Sequence, residues 1–218
     1  MNKNRKLIIL GLTVLIILIL FAFIYYKTQK NVNNINKSTN EIARYILNIS
    51  SYEADLEVKI ESNKNTNKYK MKQLYSKPNI IKQIIKEPQN LENLTIIYDG
   101  NNMRLENTNL SLSKIYKDYE YISQNTLWLS TFIDNFNDKS KIYDKENEVI
   151  IENNTIYNNY NVKQILYVDK NKCIPTKLEI LDNNKNVKIY IKYNEIRLNK
   201  LKKNDIIAFK LNNKKIEI

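Results

Sequence analysis

From Tyr52 the chain alternates, with Tyr52, Ala54, Leu56, Val58 and Ile60 apolar and Glu53, Asp55, Glu57, Lys59 and Glu61 charged between them. Successive strand side chains point to opposite faces, so this stretch predicts a strand with one face on a core and the other in solvent. After a turn at 63–67, Tyr69, Met71, Gln73 and Tyr75 carry the inward face of a second strand. Pro78 and Pro88 bracket NIIKQIIKE, whose paired isoleucines fit either a strand buried on both faces or an edge strand closed off by proline. Leu94, Ile96 and Tyr98 lead into Asp99-Gly100-Asn101-Asn102, a hairpin turn in which Gly100 supplies a positive φ, and Met103 and Leu105 continue beyond it. Further on, Val149 and Ile151 predict another strand. So do Tyr160, Val162, Gln164, Leu166 and Val168; then Thr176, Leu178 and Ile180; then Val187, Ile189, Ile191 and Tyr193. Short strands joined by Asn/Asp/Lys turns predict a mainly β fold with some α: an antiparallel meander curved into a barrel or half-barrel.

Two stretches carry a helical period instead. Ser38-x-x-Glu41 has capping-box spacing, and Ile42, Tyr45 and Ile46 follow at i, i+3 and i+4, predicting a short N-terminal helix of about ten residues. In TLWLSTFIDNFND, residues 126–138, Leu129, Phe132, Ile133 and Phe136 make an apolar stripe on an amphipathic helix, with Ser123 or Asn125 as N-cap. Such a helix must bury its stripe, and the concave face of the sheet is the available partner. Leu129, Phe132, Ile133 and Phe136 are therefore either a core contact or the lining of a groove for a lipid or a partner. Trp128, off the stripe, is either an exposed anchor in that groove or a packed indole.

Leu7 to Tyr26 is a run of twenty residues without a charge, long enough to cross the roughly 30 Å hydrocarbon core at 1.5 Å per residue. It has neither the short apolar region nor the small-x-small site of a cleavable signal, so it predicts an uncleaved signal anchor over residues 1–30. NVNNINKSTN, 31–40, reads as a polar tether, and 41–218 as one domain. The expected location is the cytoplasmic membrane, single-pass, with the C-terminal domain on the extracytoplasmic side.

Composition narrows the chemistry. With no His in 218 residues there is no Ser-His-Asp or Cys-His catalysis, and with Cys173 as the only thiol there is no CxxC centre and no intrachain disulfide. Two glycines cannot build a phosphate-cradling loop. No catalytic residue, metal ligand or cofactor site is therefore expected. The net charge of +12 comes mostly from Lys, which weakens the case for nucleic acid, and an extracytoplasmic domain would not meet it. Glu53, Asp55, Glu57 and Glu61 have the spacing of a glycosidase pair, but they share a face with Lys59 and read as a solvated surface. The sixteen tyrosines suggest sugar stacking less readily than a half-wet sheet. Cys173 is expected as an unpaired bystander, with an intermolecular disulfide as the sharper option.

Ile97-Tyr98-Asp99-Gly100-Asn101, and Val168-Asp169-Lys170 followed by Ile174-Pro175-Thr176-Lys177-Leu178-Glu179 and Asp182, resemble the LolA/LolB-like lipoprotein-carrier superfamily, and within it the clostridial germination lipoproteins of the GerS type. The resemblance runs over most of residues 38 to 211, and Ile206-Ile207-Ala208-Phe209 resembles the closing strand of that fold. Asp99, Gly100, Pro175 and Asp182 are its turn and strand-start residues. The resemblance implies an unclosed β-barrel wrapped around a helix, with an apolar concavity that holds acyl chains in the carriers. For the GerS type it implies a protein partner of a spore-cortex amidase. Two features depart from it: no Cys stands at the N-terminus for lipidation, and Arg44, Arg104 and Arg197 match no lipid-release motif.

The expected function is therefore a non-enzymatic, membrane-anchored binding protein that supports a cortex or cell-wall amidase or another envelope protein. The alternative is an acyl-chain or lipoprotein carrier. A homodimer is left open, and nucleic acid is excluded as a partner.

Overall fold

The structure is a computed structural model that describes residues 37–62, 64–119, 126–157 and 160–207. The chain falls into two units, Met1–Lys37 and Ser38–Ile218, and all the elements named below belong to the second. The predicted span from Leu7 to Tyr26 lies outside the described residues. Among the described residues no helix is long and apolar enough to cross a membrane.

Helix α1 (Thr39–Leu47) begins at the predicted capping box: the Glu41 amide donates to Ser38 Oγ and the Ser38 amide to Glu41 Oε2. Its buried face is Ile42, Ala43 and Ile46; Tyr45, expected on the stripe, is 37% exposed and Ala43 takes its place. Eleven strands succeed it: β1 (Ser51–Glu61), β2 (Thr66–Ser76), β3 (Ile80–Glu87), β4 (Leu94–Tyr98), β5 (Met103–Asn107), β6 (Leu112–Tyr116), β7 (Lys141–Asp144), β8 (Glu148–Tyr157), β9 (Tyr160–Asp169), β10 (Ile174–Leu181) and β11 (Val187–Leu198). Helix α2 (Leu129–Asp134) lies between β6 and β7, and α3 (Lys203–Ile207) comes after β11.

Among the described residues the eleven strands form one antiparallel sheet in the order β6-β5-β4-β3-β2-β1-β11-β10-β9-β8-β7, so the fold is mainly β and these strands do not close into a barrel. Each half is a meander of hairpins. The halves join where β1 pairs with β11, from Tyr52 opposite Leu198 to Ile60 opposite Ile189, the most non-local contact in the sheet. The alternation at 52–61 appears as expected: Tyr52, Ala54, Leu56 and Val58 are at most 2% exposed. β3 is the strand buried on both faces, with Ile80, Ile81 and Lys82 all under 9%.

The sheet curls. Leu127 and Phe132 offer their carbonyls to Gln73 on β2 (3.3 Å) and Asn153 on β8 (2.7 Å). Those two strands are five positions apart, about 24 Å in a flat sheet. One six-residue helix and the segment before it are thus held from both halves of the sheet, and buried residues of both halves share one core with them, which draws the two halves toward each other. The core lies on this concave side, where Met71, Tyr75, Val149, Ile151, Leu166, Val168, Leu178 and Ile191 face α1 and α2.

Two expectations are corrected. The inserted helix is six residues long, not the thirteen of 126–138. Trp128, in extended conformation (φ −98°, ψ 132°), is its N-cap, while Ser123 and Asn125 lie outside the described residues. It stops early because Asn137 donates to the Asn135 carbonyl and accepts from the Lys139 amide, offering the backbone a turn in place of another helical bond. The stretch expected as a closing strand at 206–209 is helical through Ile207, started by Asp205 accepting from the Lys202 amide; 208 and 209 lie outside the described residues.

Candidate functional site

The predicted groove residues do come together, but as a plug. Trp128 is 3% exposed and Leu129 and Phe132 are fully buried, with Ile133 and Phe136 half-buried beside them. Trp128 packs on Tyr52 (centroids 6.5 Å apart), which in turn packs on Tyr75 (5.5 Å), so the indole is not the exposed anchor considered for it. The apolar side chains are what a concave sheet needs to exclude water, and burying Phe132 alone is worth about 2–3 kcal/mol.

Side-chain amides hold the plug's backbone at both ends. At the β2 end Gln73 donates to the Leu127 carbonyl and to Gln83 Oε1 while accepting from the Tyr52 hydroxyl. At the β8 end Asn153 donates to the Phe132 carbonyl, and Asn135 donates to Gln164 Oε1. Gln73, Asn153 and Gln164 are fully buried; Gln73 is bonded through both ends of its amide, while Asn153 Oδ1 and Gln164 Nε2 have no partner among the described residues. Burial pushes the Tyr193 phenol up on the same face.

Among the described residues nothing fills the concave face at its other end. Leu91, Leu94, Leu105, Leu110 and Leu112, with Lys114, line a groove of about 470 Å³ beside β4, β5 and β6. Leu110 and Leu112 are 62% and 61% exposed. On the opposite face of the same strands Ile97, Asp99, Asn102, Arg104 and Ile115 line a smaller one of about 240 Å³, with Ile115 57% exposed. Alternation in β6 produces both: Leu112, Lys114 and Tyr116 turn inward, Ser113 and Ile115 outward.

The convex face of β1 is an ion-pair surface. Glu53 lies between Lys72 (2.5 Å) and Arg197 (2.8 Å), Asp55 accepts from Lys86, Glu57 from Asn194, and Lys59 reaches Glu61. Burial pushes the Glu53 carboxyl up, but Lys72 and Arg197 outweigh it and hold it below the usual range; Lys59 does the same for Glu61. A glycosidase pair needs one carboxyl held protonated, the opposite of this arrangement. The Tyr167 ring carries Lys177 Nζ 3.7 Å from its centroid where a sugar would stack. Burial and the neighbouring Glu179 push its phenol up to about 12. Among the described residues no group of three His, Cys, Asp or Glu could hold a metal ion.

The family-motif residues build turns. Asp99 Oδ1 accepts from the amides of Asn101 and Asn102, Gly100 has φ +98°, Asp182 Oδ1 accepts from the amides of Asn184 and Asn186, and Pro175 is buried at a bulge in β10. Cys173 is a buried free thiol with φ +52°, whose Sγ lies 3.5 Å from the Lys170 carbonyl; an intermolecular disulfide does not fit that burial.

The residues missed from sequence are those of β6. NTNLSLSKIY holds only three apolar aliphatics among Asn, Ser and Lys, with Ile115 out of phase with Leu110 and Leu112. The available signal was that phase break, since an edge strand with a groove on each face has no single apolar side.

The fold and the site thus define a mainly β protein built on one unclosed antiparallel sheet curled around its own short helices. The chain belongs to the family of YdcC-like sporulation proteins, whose model matches residues 5–206. Among curated proteins nothing matches it. Among solved structures it is similar to one of the CwlD amidase from Clostridioides difficile in complex with the GerS lipoprotein, at 22% identity over 73% of this chain and 95% of that one, with a TM-score of 0.42. It is also similar to the LolA superfamily protein NE2245 from Nitrosomonas europaea, at 14% identity over 78% and 98% of the two chains, TM-score 0.41. A third is a putative outer membrane lipoprotein-sorting protein domain from Vibrio parahaemolyticus, at 14% identity over 78% and 96%, TM-score 0.40.

Proposed function

We propose that this chain is a non-enzymatic binding protein of the sporulating cell envelope that holds and supports a cell-wall amidase of the spore cortex. Its membership of a sporulation family supports the setting. Its resemblance at 97–101 and 168–182 to GerS-type proteins supports the partner. The observation that carries the reading is the plugged concave face. Phe132 and Leu129 fill the place where a carrier would keep its cargo, and Gln73 and Asn153 tie the plug's backbone to both halves of the sheet. With that part of the concavity filled by the protein's own side chains, what is left for a partner is the rims, the sheet edges and the leucine-lined groove beside β4, β5 and β6.

The twenty-residue apolar run from Leu7 to Tyr26 anchors it as a single-pass protein with the domain outside the cytoplasmic membrane. Such a tether keeps the domain at one surface, which suits a local support for an enzyme and not a shuttle between membranes.

The test is reconstitution of the full chain in detergent with a purified cortex amidase. A stable complex on size exclusion, with amidase activity raised over that of the enzyme alone, is expected. No complex at micromolar concentrations of both proteins overturns the reading. Native mass spectrometry of the purified chain separates the carrier alternative, for which bound acyl lipid in stoichiometric amount is required and none is expected here.

A further inference from the structure

The two free edges of the sheet differ. β7 is guarded: Asp144 accepts from the Thr39 hydroxyl and from Lys170, and α1 packs against β7 and β8. β6 is not. Among the described residues nothing pairs with its outer side, and Leu112 to Ile115 are all exposed. An open edge presents unpaired amides and carbonyls spaced for another strand. Here that edge runs between two depressions, the larger, on the concave side, lined mostly by leucines and the smaller, on the convex side, by Ile97 and Ile115 with Asp99, Asn102 and Arg104. An added strand sends alternate side chains to alternate faces, so consecutive residues of one extended segment would enter the two depressions in turn.

We propose that the outer edge of β6 is a docking site for an extended segment of a partner protein, with apolar residues at alternate positions and an acidic residue opposite Lys114. The charge preference comes from the surroundings of Lys114. It lies 4.9 Å from the Tyr116 ring centroid, while nearby Glu106 is paired with Arg104 and Asp118 accepts from Asn101. A carboxylate brought in by the added strand answers a lysine that no described acid neutralises. The same residue disfavours a second copy as occupant, because the two-fold register that pairs all five residues of β6 sets Lys114 against its own symmetry mate. The site rests on the reading of the chain as a binding protein and supplies the surface for it.

The probe is a displayed library of random eight-residue peptides selected on the full chain in detergent, so no amidase enters the experiment and its failure leaves the amidase reading standing. Expected are peptides alternating apolar residues with at least one Asp or Glu, protection of the β6 amides from hydrogen exchange when they bind, and an affinity loss of about tenfold or more with Lys114→Glu. Leu112→Ser, which empties part of the concave depression, should weaken the same peptides without changing their acidic preference. Both side chains are exposed, and an unchanged circular dichroism melt verifies folding. Failure to enrich any peptide, protection of another surface, an unchanged affinity in K114E, or self-association of the chain through β6 each overturns the proposal.

Discussion

The side-chain amide of Asn153, fully buried on β8, donates a 2.7 Å hydrogen bond to the main-chain carbonyl of Phe132, whose own ring is fully buried on α2. The last four carbonyls of a helix have no partner within it, and α2 is short enough for this to include two-thirds of its length. Asn153 therefore does what another turn of helix would do, and in doing so ties the plug to the second half of the sheet.

Replacing Asn153 with Leu keeps the volume and removes the donor, leaving the Phe132 carbonyl buried without its partner. A loss of about 1–3 kcal/mol is expected. In a domain of this size that lowers the melting temperature by roughly 2–4 °C per kcal/mol, readable by circular dichroism.

Phe132→Ala tests the plug's apolar half. With the side chain fully buried, a loss of about 3–5 kcal/mol is expected, together with increased binding of a hydrophobic dye as the concave face opens. A loss under about 1 kcal/mol would mean that the helix is not part of the core.

Gly100→Ala should cost about 1–2 kcal/mol through the backbone alone. The position has φ +98°, and an added Cβ would meet only Ile80 Cδ1 at 3.8 Å, an ordinary contact. Gly100→Asn should recover part of the loss, since Asn tolerates positive φ better than Ala.

Glu53 sets a pH dependence with a definite sign. Lys72 and Arg197 hold its folded-state carboxyl below its ordinary value of 4.5, so the ion pairs contribute fully above that pH. The contribution is lost as pH falls through the folded-state value. The melting-temperature gap between the native protein and Glu53→Gln should therefore be constant from pH 5 to 7, on the order of a few degrees, and shrink below about pH 4.5. A gap that widens on acidification would contradict the assigned pairs.

Cys173, 3% exposed, should react with a thiol reagent only on unfolding. Rapid labelling under native conditions would show that the turn at 170–173 opens.

Much of the fold was legible from local pattern. Tyr52 to Glu61 alternates because half its neighbours are core, and the Ser38/Glu41 box and the Asp99-Gly100 turn are closed by bonds within a few residues of chain. The length of α2 was not legible, since its apolar stripe continues to Phe136 and what ends the helix is Asn137 turning back on the backbone. The destination of Trp128 was not legible either. An indole at the rim of a helix has two fates, and Tyr52, seventy-six positions away, decided between them.

What the sequence by itself determined is the strand alternation, the turns, the apolar run at 7–26 and the want of imidazole and paired thiols: each depends on residue type or on neighbours a few positions off. The tertiary structure decided which strands meet, that β1 and β11 join the two halves, that the sheet bends until Gln73 and Asn153 grip one short helix, and that, among the described residues, β6 is left unpaired at an edge while β7 is guarded. Those outcomes rest on contacts between segments far apart in the chain, where curvature and burial choose among pairings that local pattern leaves equal.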